Sequence, residues 1–186
     1  MHLEKPTVIV FCGPPASGKT TIATLVAKIL NLRIIDSDAT RDFVWGTDHP
    51  GVWDEQAKQH NKREFMFVYD VIHRVVAGHA SLGVSVIVTA PYTSGSSWGY
   101  LQEAIKAGSI DLKIIWCLTS DASQEAVESR IAERSATYRG YSDSYEKVKA
   151  SMDAFAPVTL PHVKLDTSTT TVEECVQRAI EYICSV

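Results

Sequence analysis

The feature that most constrains this chain is a glycine-rich stretch between an apolar run over residues 7–12 and a segment of helical periodicity over residues 21–30. The stretch matches the phosphate-loop pattern G-x-x-x-x-G-K-[ST] at every fixed position, and a preceding strand and a following helix are the context that this loop requires. The sequence therefore predicts a binding site for a nucleoside triphosphate. The residues of the predicted loop are Gly13, Pro14, Pro15, Ala16, Ser17, Gly18, Lys19 and Thr20.

The loop also predicts how the triphosphate is held. Its backbone N–H groups and the N-terminus of the next helix attract phosphate oxygens, so we expect contacts as far as Thr21. Lys19 is expected to reach the β- and γ-phosphates, and the Thr20 hydroxyl is expected to hold Mg²⁺. The alternative is a glycine-rich turn with an incidental lysine, which the flanking segments disfavour.

Size and charge narrow the remaining choices. A chain of 186 residues suits one domain over residues 1–186. Its net charge of −4 gives no overall attraction for nucleic acid, so we expect a small-molecule partner and disfavour nucleic acid, although a local basic patch could still bind one. No apolar run approaches the roughly 20 residues of a membrane helix, so neither a signal peptide nor a membrane partner is expected. The sequence does not determine the oligomeric state.

The cysteines indicate a reducing environment. Cys12, Cys117, Cys175 and Cys184 lie in apolar segments without the spacing of zinc ligands. Reduced core thiols fit this pattern better than a disulfide framework, which predicts a cytoplasmic protein.

Strand and helix patterns alternate along the chain. Right-handed crossovers between parallel strands then predict an α/β three-layer sandwich, with a five-stranded parallel sheet whose strand ends carry the site at one edge. The last helix is predicted to begin with a capping box formed by Thr171 and Glu174. The predicted strands cover residues 7–12, 33–36, 84–88, 112–118 and 162–166.

Charged residues follow the second predicted strand. A helix is predicted over residues 39–45, and one of the residues 36–38 can simply cap it. Asp38 and Arg41 lie three residues apart and share one face of this helix if both are helical. Such a pair can accept a proton and hold a polar or anionic acceptor group.

After the third predicted strand, Thr89 or Ala90 takes the place where a Walker-B strand often ends in aspartate. Mg²⁺ is therefore expected to depend on Thr20, on water and on Asp38 acting through water. The loop that follows lies at the same predicted edge as the phosphate loop and can touch the acceptor.

Two arginines lie four residues apart on a helix predicted to begin at Ser120 or Asp121. Arg130 and Arg134 share one face of this helix, and the following residues lack apolar periodicity, which predicts a short lid at about residues 134–143. The alternative is that both arginines pair with nearby glutamates on a solvated surface. The phosphate loop favours the lid, because phosphoryl transfer needs positive charge and exclusion of water.

Aromatic residues leave two interpretations open. Trp45, Trp53 and Trp98 fall beside the predicted acceptor-side loops, where they can stack on a substrate or pack between helices. Trp116 is predicted to lie in the core. His73 is predicted to be packed or on the surface rather than a metal ligand.

With these motifs in order, the chain resembles the small P-loop kinases of the nucleoside-monophosphate-kinase-like group. It is most similar to the polynucleotide-kinase-type branch, an AAA-type branch of predicted ATP-binding kinases. The resemblance rests on the phosphate loop, on Asp38 and Arg41, on the Thr-Ala-Pro-Tyr run at residues 89–92, and on the pair Arg130 and Arg134. It covers nearly the whole chain.

The resemblance implies roles for the site residues. Asp38 would be the general base toward an acceptor hydroxyl, and Arg41 would contact the acceptor. Arg130 would stack on adenine, Arg134 would contact phosphates, and the loop containing Ser168 would cradle the adenine. The predicted catalytic residues are Lys19, Asp38, Arg41 and Arg134.

These predictions describe an ATP-dependent kinase with Mg²⁺ as cofactor and ATP as co-substrate, which transfers a phosphoryl group to a hydroxyl of a small acceptor. A polynucleotide 5′-hydroxyl kinase is the first alternative. A nucleotide-binding module or NTPase switch without an acceptor is the second. A GTPase switch is disfavoured, because residues 118–121 lack the N-K-x-D pattern that reads guanine.

Overall fold

The computed structural model describes residues 3–45, 55–92, 95–106, 110–137 and 144–185, with their side chains except at residues 45, 55–65, 95–96 and 136–137. The strands are β1 (Thr7–Cys12), β2 (Arg33–Asp36), β3 (Val86–Thr89), β4 (Asp111–Leu118) and β5 (His162–Asp166). The helices are α1 (Lys19–Leu30), α2 (Ser37–Trp45), α3 (Glu55–Ser81), α4 (Gly95–Ile105), α5 (Gln124–Thr137), α6 (Tyr145–Asp153) and α7 (Val172–Cys184).

The strands form a parallel sheet in the order β2-β3-β1-β4-β5. β1 is the central strand and is buried along its whole length, as expected for a strand covered on both faces. Its Val10 lies opposite Val88 of β3 and Ile114 of β4. The predicted five-stranded parallel sheet is confirmed, and β1, β2 and β5 have their predicted bounds.

Helices cover both faces of the sheet, because alternate residues of each strand point to opposite faces. Ile9 and Phe11 of β1 belong to a core shared with α1 and α7. Val8 and Val10 belong to a second core shared with α3 and α4. Two cores on either side of one sheet make the three-layer sandwich that alternating strands and helices predict.

Two helices begin at residues other than those predicted. α2 begins at Ser37 rather than Ala39, because Asp36 Oδ1 accepts hydrogen bonds from the backbone N–H groups of Asp38 and Ala39, at 3.0 and 2.9 Å. α5 begins at Gln124 instead of residue 120 or 121. There Asp121 Oδ1 accepts from Ser123 N at 3.0 Å, so the intervening residues form a turn before the helix.

Other local predictions have mixed outcomes. Thr171 and Glu174 form the predicted capping box of α7, with both reciprocal hydrogen bonds present. Cys12, Cys117 and Cys175 are buried, but Cys184 is exposed, so its assignment to the core was wrong.

Three predictions on the acceptor side concern residues that are not described. Trp53, the side chain of Trp45 and residues 138–143 of the predicted lid lie outside the described part of the chain. Within the described part, no helix is both long and apolar enough to cross a membrane.

Candidate active site

The phosphate loop joins the central strand to α1 through backbone conformations that favour glycine. Gly13 has φ +147°, and a Cβ atom there would lie 2.0 Å from the carbonyl oxygen of Cys117. Gly18, with φ +75°, is the residue that caps α1. No side chain caps the first turn of α1, and that turn contains no acidic residue. The positive end of the helix is therefore left to attract an anion.

Lys19 begins α1 and is only 6% exposed. Its Nζ donates a hydrogen bond to the carbonyl oxygen of Pro14 at 3.2 Å. Burial lowers the pKa of the Lys19 ammonium, and the nearby Arg134 lowers it further, while Asp38 and Asp36 act in the opposite direction. A phosphate beside Lys19 would compensate a buried positive charge.

The ends of β2 and β3 bring a carboxylate and a hydroxyl together. Asp36 lies opposite Thr89 in the sheet register, and Asp36 Oδ2 accepts a hydrogen bond from Thr89 Oγ1. The carboxylate of Asp36 therefore lies beside Thr89, which is near the position where a Walker-B strand often has an aspartate. The sequence left two interpretations open for Asp36, a helix cap or a carboxylate at the active edge of a parallel sheet, and the side chain has both positions in the structure.

Asp38 contacts two of the arginines that were predicted to lie in the site. Arg134 of α5 forms an ion pair and hydrogen bond with Asp38 Oδ2, although the two residues lie 96 positions apart. Arg41 Nη1 lies 3.9 Å from Asp38 Oδ1, and Arg41 Nη2 lies 3.6 Å from Asp42. The structure thus brings a carboxylate and two guanidinium groups together.

Arg130 lies one turn before Arg134 on α5 and is bound to two loops. Its Nη1 donates to the carbonyl oxygen of Ala16 at 3.0 Å and to Thr167 Oγ1 at 2.9 Å. Its Nη2 donates to the carbonyl oxygen of Thr167 at 2.8 Å. Arg130 therefore connects α5, the phosphate loop and the loop after β5.

Ser168 stabilises the loop after β5. Its hydroxyl donates to Asp166 Oδ1 at 2.6 Å and accepts from the backbone N–H groups of Ser120 and Asp121 at 3.1 and 3.2 Å. Burial acts to raise the pKa of Asp166, but hydrogen bonds from Ser120 and Ser168 outweigh it and lower that pKa to about 2. The loop is held by an ionised carboxylate at neutral pH.

These elements surround a cavity of about 690 Å³. It is lined by the second half of the phosphate loop, the start of α1, Asp36 and Asp38, one face of α5, and the start of α7, whereas Gly13, Pro14 and Pro15 of the loop do not line it. Arg41 and Ser168 do not line it. Arg41 contacts Asp38, which does line it, and Ser168 follows Thr167, which also lines it. The lining residues are Ala16, Ser17, Gly18, Lys19, Thr20, Thr21, Ile22, Asp36, Asp38, Ala126, Ser129, Arg130, Glu133, Arg134, Thr167, Thr170, Val172 and Cys175.

An aromatic cluster supports the loop that follows β3. Tyr92 has a positive φ of 50° and its backbone N–H donates to Tyr69 Oη at 3.0 Å. His73 Nε2 lies 3.2 Å from Tyr92 Oη, and the Trp98 ring stacks on the Tyr92 ring with centroids 4.5 Å apart. Trp98 therefore packs in the core, and His73 is buried, which is one of its two predicted placements.

A family model described as an AAA domain matches residues 8–158. The matched range contains β1, the phosphate loop, Asp38 and both arginines of α5.

Curated relatives match this chain over two different lengths. A tRNA dimethylallyltransferase of Cyanothece is 38% identical over 64 residues, which are 32% of this chain and 21% of that protein. The matched segment spans about a fifth of the length of that relative. A shikimate kinase of Halorhodospira halophila is 26% identical over 149 residues, which are 76% of this chain and 84% of that protein.

Solved structures share the fold. A sugar kinase from Janibacter has a TM-score of 0.68 at 17% identity and covers 96% of this chain and 94% of its own. A gluconokinase from Sinorhizobium meliloti has a TM-score of 0.65 at 15% identity and covers 96% of this chain and 91% of its own. These likenesses confirm the predicted α/β P-loop kinase fold.

Proposed function

This chain belongs to the AAA domain family, and we infer that it is an ATP-dependent kinase of the small P-loop group. We propose that it transfers the γ-phosphoryl group of ATP to a hydroxyl group of a small acceptor molecule. The observation that carries the proposal is the ion pair of Asp38 with Arg134 in the cavity formed by the phosphate loop. A nucleotide-binding module without turnover has no need for Asp38, Arg41 and Arg134 together.

Asp38 is proposed to orient the acceptor hydroxyl and to take its proton as the oxygen attacks the γ-phosphorus. Its carboxylate lines the cavity and is about 30% exposed, so an acceptor can reach it. The bond from the γ-phosphorus to the bridging oxygen breaks as the new bond forms, and ADP leaves with the electron pair. General-base help of this kind typically contributes about a hundred- to ten-thousand-fold.

Lys19 and Arg134 are proposed to stabilise the negative charge of the transferring group. Lys19 lies at the start of α1, where its ammonium is buried and makes one hydrogen bond to the loop. Arg134 donates a hydrogen bond to Asp38. A phosphate oxygen can replace Asp38 as the acceptor of one or more of the Arg134 N–H groups. Charges placed before the reaction stabilise the transition state without further reorganisation.

The oxygen atoms near the phosphate loop suit Mg²⁺. Thr20 follows Lys19 and offers a hydroxyl, and the carboxylates of Asp36 and Asp38 line the same cavity. Hydroxyl, carboxylate and water oxygens are the ligands that Mg²⁺ prefers. When bound, the ion would neutralise phosphate charge. We propose Thr20 as a direct ligand and Asp38 as a contact through water.

Arg130 is proposed to form one side of the adenine site. Three of its hydrogen bonds, at 2.8 to 3.0 Å, go to protein oxygens and lie along the edge of the guanidinium. The flat face of the guanidinium is the part that can stack on a base. Ser168 is proposed to shape this site indirectly, because its hydroxyl is committed to Asp166 and to two backbone N–H groups.

A small acceptor suits the chain better than a nucleic acid. The net charge is −4, and the cavity of about 690 Å³ has room for a nucleotide and a small molecule rather than a duplex end. The matched shikimate kinase and the neighbouring sugar and gluconate kinases act on small hydroxyl compounds by their names. We propose a cytoplasmic location, which the buried thiols of Cys12, Cys117 and Cys175 support.

A transfer assay on an acceptor panel tests this function. ATP would be offered with nucleosides, sugars, sugar acids, shikimate, aminoglycosides and oligonucleotides with a 5′-hydroxyl, and products would be identified by phosphorus NMR and mass spectrometry. We expect a phosphorylated small molecule and ATP consumption that rises with the acceptor. Release of free phosphate at one rate with every acceptor would indicate an NTPase, and transfer to oligonucleotides alone would indicate a polynucleotide kinase.

A further inference from the structure

We propose that Thr167 is a positioning residue for ATP. Its hydroxyl fixes the orientation of the Arg130 guanidinium relative to the phosphate loop. The inference rests on the proposed function, since it concerns the nucleotide end of the same cavity. Thr167 follows β5 and lines that cavity together with Arg130. No motif in the sequence distinguishes it from the threonines and serines around it.

Thr167 supplies two of the three protein oxygens that bind Arg130. Its hydroxyl accepts from Nη1 at 2.9 Å and its carbonyl oxygen accepts from Nη2 at 2.8 Å, while Ala16 supplies the third oxygen at 3.0 Å. Two separate nitrogens bound to one residue fix the plane of the guanidinium. The orientation of the face offered to the base therefore depends on Thr167.

The Thr167 hydroxyl is itself held by the ends of two other elements. As a donor it has two acceptors within reach, the carbonyl oxygens of Ser17 and Leu118, each at 3.2 Å. Its backbone N–H donates to the same Leu118 oxygen at 2.9 Å. The hydroxyl thus connects the phosphate loop, the end of β4 and Arg130.

The methyl group of Thr167 has a separate packing role. A Cβ atom placed on Gly18 would lie 3.2 Å from Thr167 Cγ2, so this methyl group packs beside the glycine that caps α1. Methyl and hydroxyl can be tested apart because valine keeps the branched shape and loses the hydroxyl. Serine keeps the hydroxyl and loses the methyl.

Calorimetry with two ligands separates positioning of Arg130 from damage to the loop. The full-length protein and its variants would be titrated with Mg-ATP and with Mg-tripolyphosphate, which has phosphates but no base. For Thr167→Val we expect the dissociation constant for ATP to rise about five- to tenfold. We expect the constant for tripolyphosphate to stay within about twofold, because the phosphates bind the backbone and Lys19. Thr167→Ser should restore ATP affinity, and Thr169→Val, at an exposed position of the same loop, is the matched control.

A double-mutant cycle tests whether Thr167 acts through Arg130. In an Arg130→Ala background, Thr167→Val should weaken ATP binding by less than twofold, because the group that it positions is gone. Full additivity, equal weakening of ATP and tripolyphosphate, or a loss in Thr167→Ser equal to that in Thr167→Val would each overturn the proposal. Failure of the proposed function has a different outcome, because the parent protein would then transfer phosphate to no acceptor of the panel, whereas these binding constants do not depend on transfer. Thermal unfolding of each variant identifies any that do not fold. If Thr167→Val is among them, Thr167→Ala is compared with Thr167→Ser, because these two variants both lack the methyl group and differ in the hydroxyl.

Discussion

The cavity has two proposed ends, one for the nucleotide and one for the acceptor, and they are built in different ways. At the nucleotide end, the phosphate loop is a continuous stretch whose backbone makes the site, and Arg130 is bound to three carbonyl or hydroxyl oxygens. At the acceptor end, Asp38 and Arg134 come from helices far apart in sequence and are bound to each other. The first end can accept a base while keeping its hydrogen bonds. At the second end, a substrate must replace one partner of the ion pair between Asp38 and Arg134.

Because of this difference, we expect one end to contribute mainly to binding and the other mainly to chemistry. Hydrogen bonds that persist on binding give a preorganised site and favour affinity. Groups that pair with each other in the free protein act only after a substrate replaces one partner, so their contribution is expected in turnover. Substitutions at the two ends should therefore affect different kinetic constants.

The largest effect is expected at Asp38. Asp38→Asn keeps the size of the side chain and an oxygen for Arg134 but cannot take a proton from the acceptor. We expect phosphoryl transfer to fall about a hundred- to ten-thousand-fold, with the dissociation constant for ATP within about threefold of the parent. Transfer rates with an identified acceptor and calorimetry with and without Mg²⁺ measure the two quantities.

Asp70→Asn is the matched control for that substitution, because Asp70 is an exposed carboxylate on α3 that pairs with Arg74 at 2.9 Å. It should leave transfer unchanged. If Asp38→Asn transfers at more than about a third of the parent rate, the substitution raises the activation free energy by less than about 1 kcal/mol, which is too little for the loss of a general base. The base would then be sought at Asp36, the other carboxylate that lines the cavity.

A smaller effect is expected at Lys19, on the nucleotide end. Lys19→Met removes the charge and keeps the apolar stem, so the affinity for Mg-ATP should fall about ten- to a hundredfold. The free protein should not lose thermal stability, because burial opposes the charged form of Lys19. Lys28→Met, at an exposed position of the same helix, is the control. Unchanged ATP affinity together with unchanged turnover would refute the predicted role of the phosphate loop.

The sequence predicted the nucleotide end better than the acceptor end for a physical reason. The phosphate loop is a local structure, in which Gly13 and Gly18 provide backbone conformations that one short pattern encodes. The five strands were also predictable, because continuous apolar runs are typical of buried parallel strands. Contacts between residues close in the chain follow from spacing, as the capping box of α7 shows.

The acceptor end depends on contacts that spacing does not encode. The hydrogen bond of Asp36 with Thr89 requires β2 to lie beside β3, and no local pattern defines that strand order. The start of α2 was placed two residues late, because the capping role of Asp36 was one of three options. The ion pair of Asp38 with Arg134 links α2 to α5. The phosphate loop and the resemblance to a family suggested that both residues lie near the phosphates, but no spacing in the sequence predicted that they pair with each other.

A third prediction compares the two arginines of α5 directly. Arg134→Ala should lower kcat about tenfold or more and change the dissociation constant for ATP little, because its charge is needed most during transfer. Arg130→Ala should raise the KM for ATP about tenfold and leave kcat nearly unchanged. Steady-state kinetics at saturating acceptor measure both. Equal effects of the two substitutions on kcat and KM would contradict the difference between the two ends.

The smallest expected effect is a difference in pH dependence between the two supporting networks. Beside the acceptor end, burial lowers the pKa of His73 below its ordinary value of 6.5, and the neighbouring Asp70 only partly opposes this. Below about pH 6.5 the unfolded chain therefore binds a proton that the folded chain resists, and the free energy of unfolding falls as the pH falls. Beside the nucleotide end, Asp166 has its pKa lowered to about 2, so its stabilising effect is complete above pH 3.8 and is lost only as the pH falls toward 2.

Urea unfolding at pH 7.5 and 5.5 separates these two contributions, because His73 responds between the two conditions and Asp166 stays ionised in both states of the chain. The free energy of unfolding of the parent should be lower at pH 5.5, by at most about 1.4 kcal/mol per pH unit from one histidine. In His73→Gln, whose amide can still donate to Tyr92 Oη, this decrease should shrink, while His79→Gln on the same helix should leave it in place. Asp166→Asn should lower stability by the same amount at both pH values, because it removes hydrogen bonds that do not titrate in this range. A decrease that is as large in His73→Gln as in the parent would show that the aromatic cluster around Tyr92 is not the pH-sensitive support of the acceptor end.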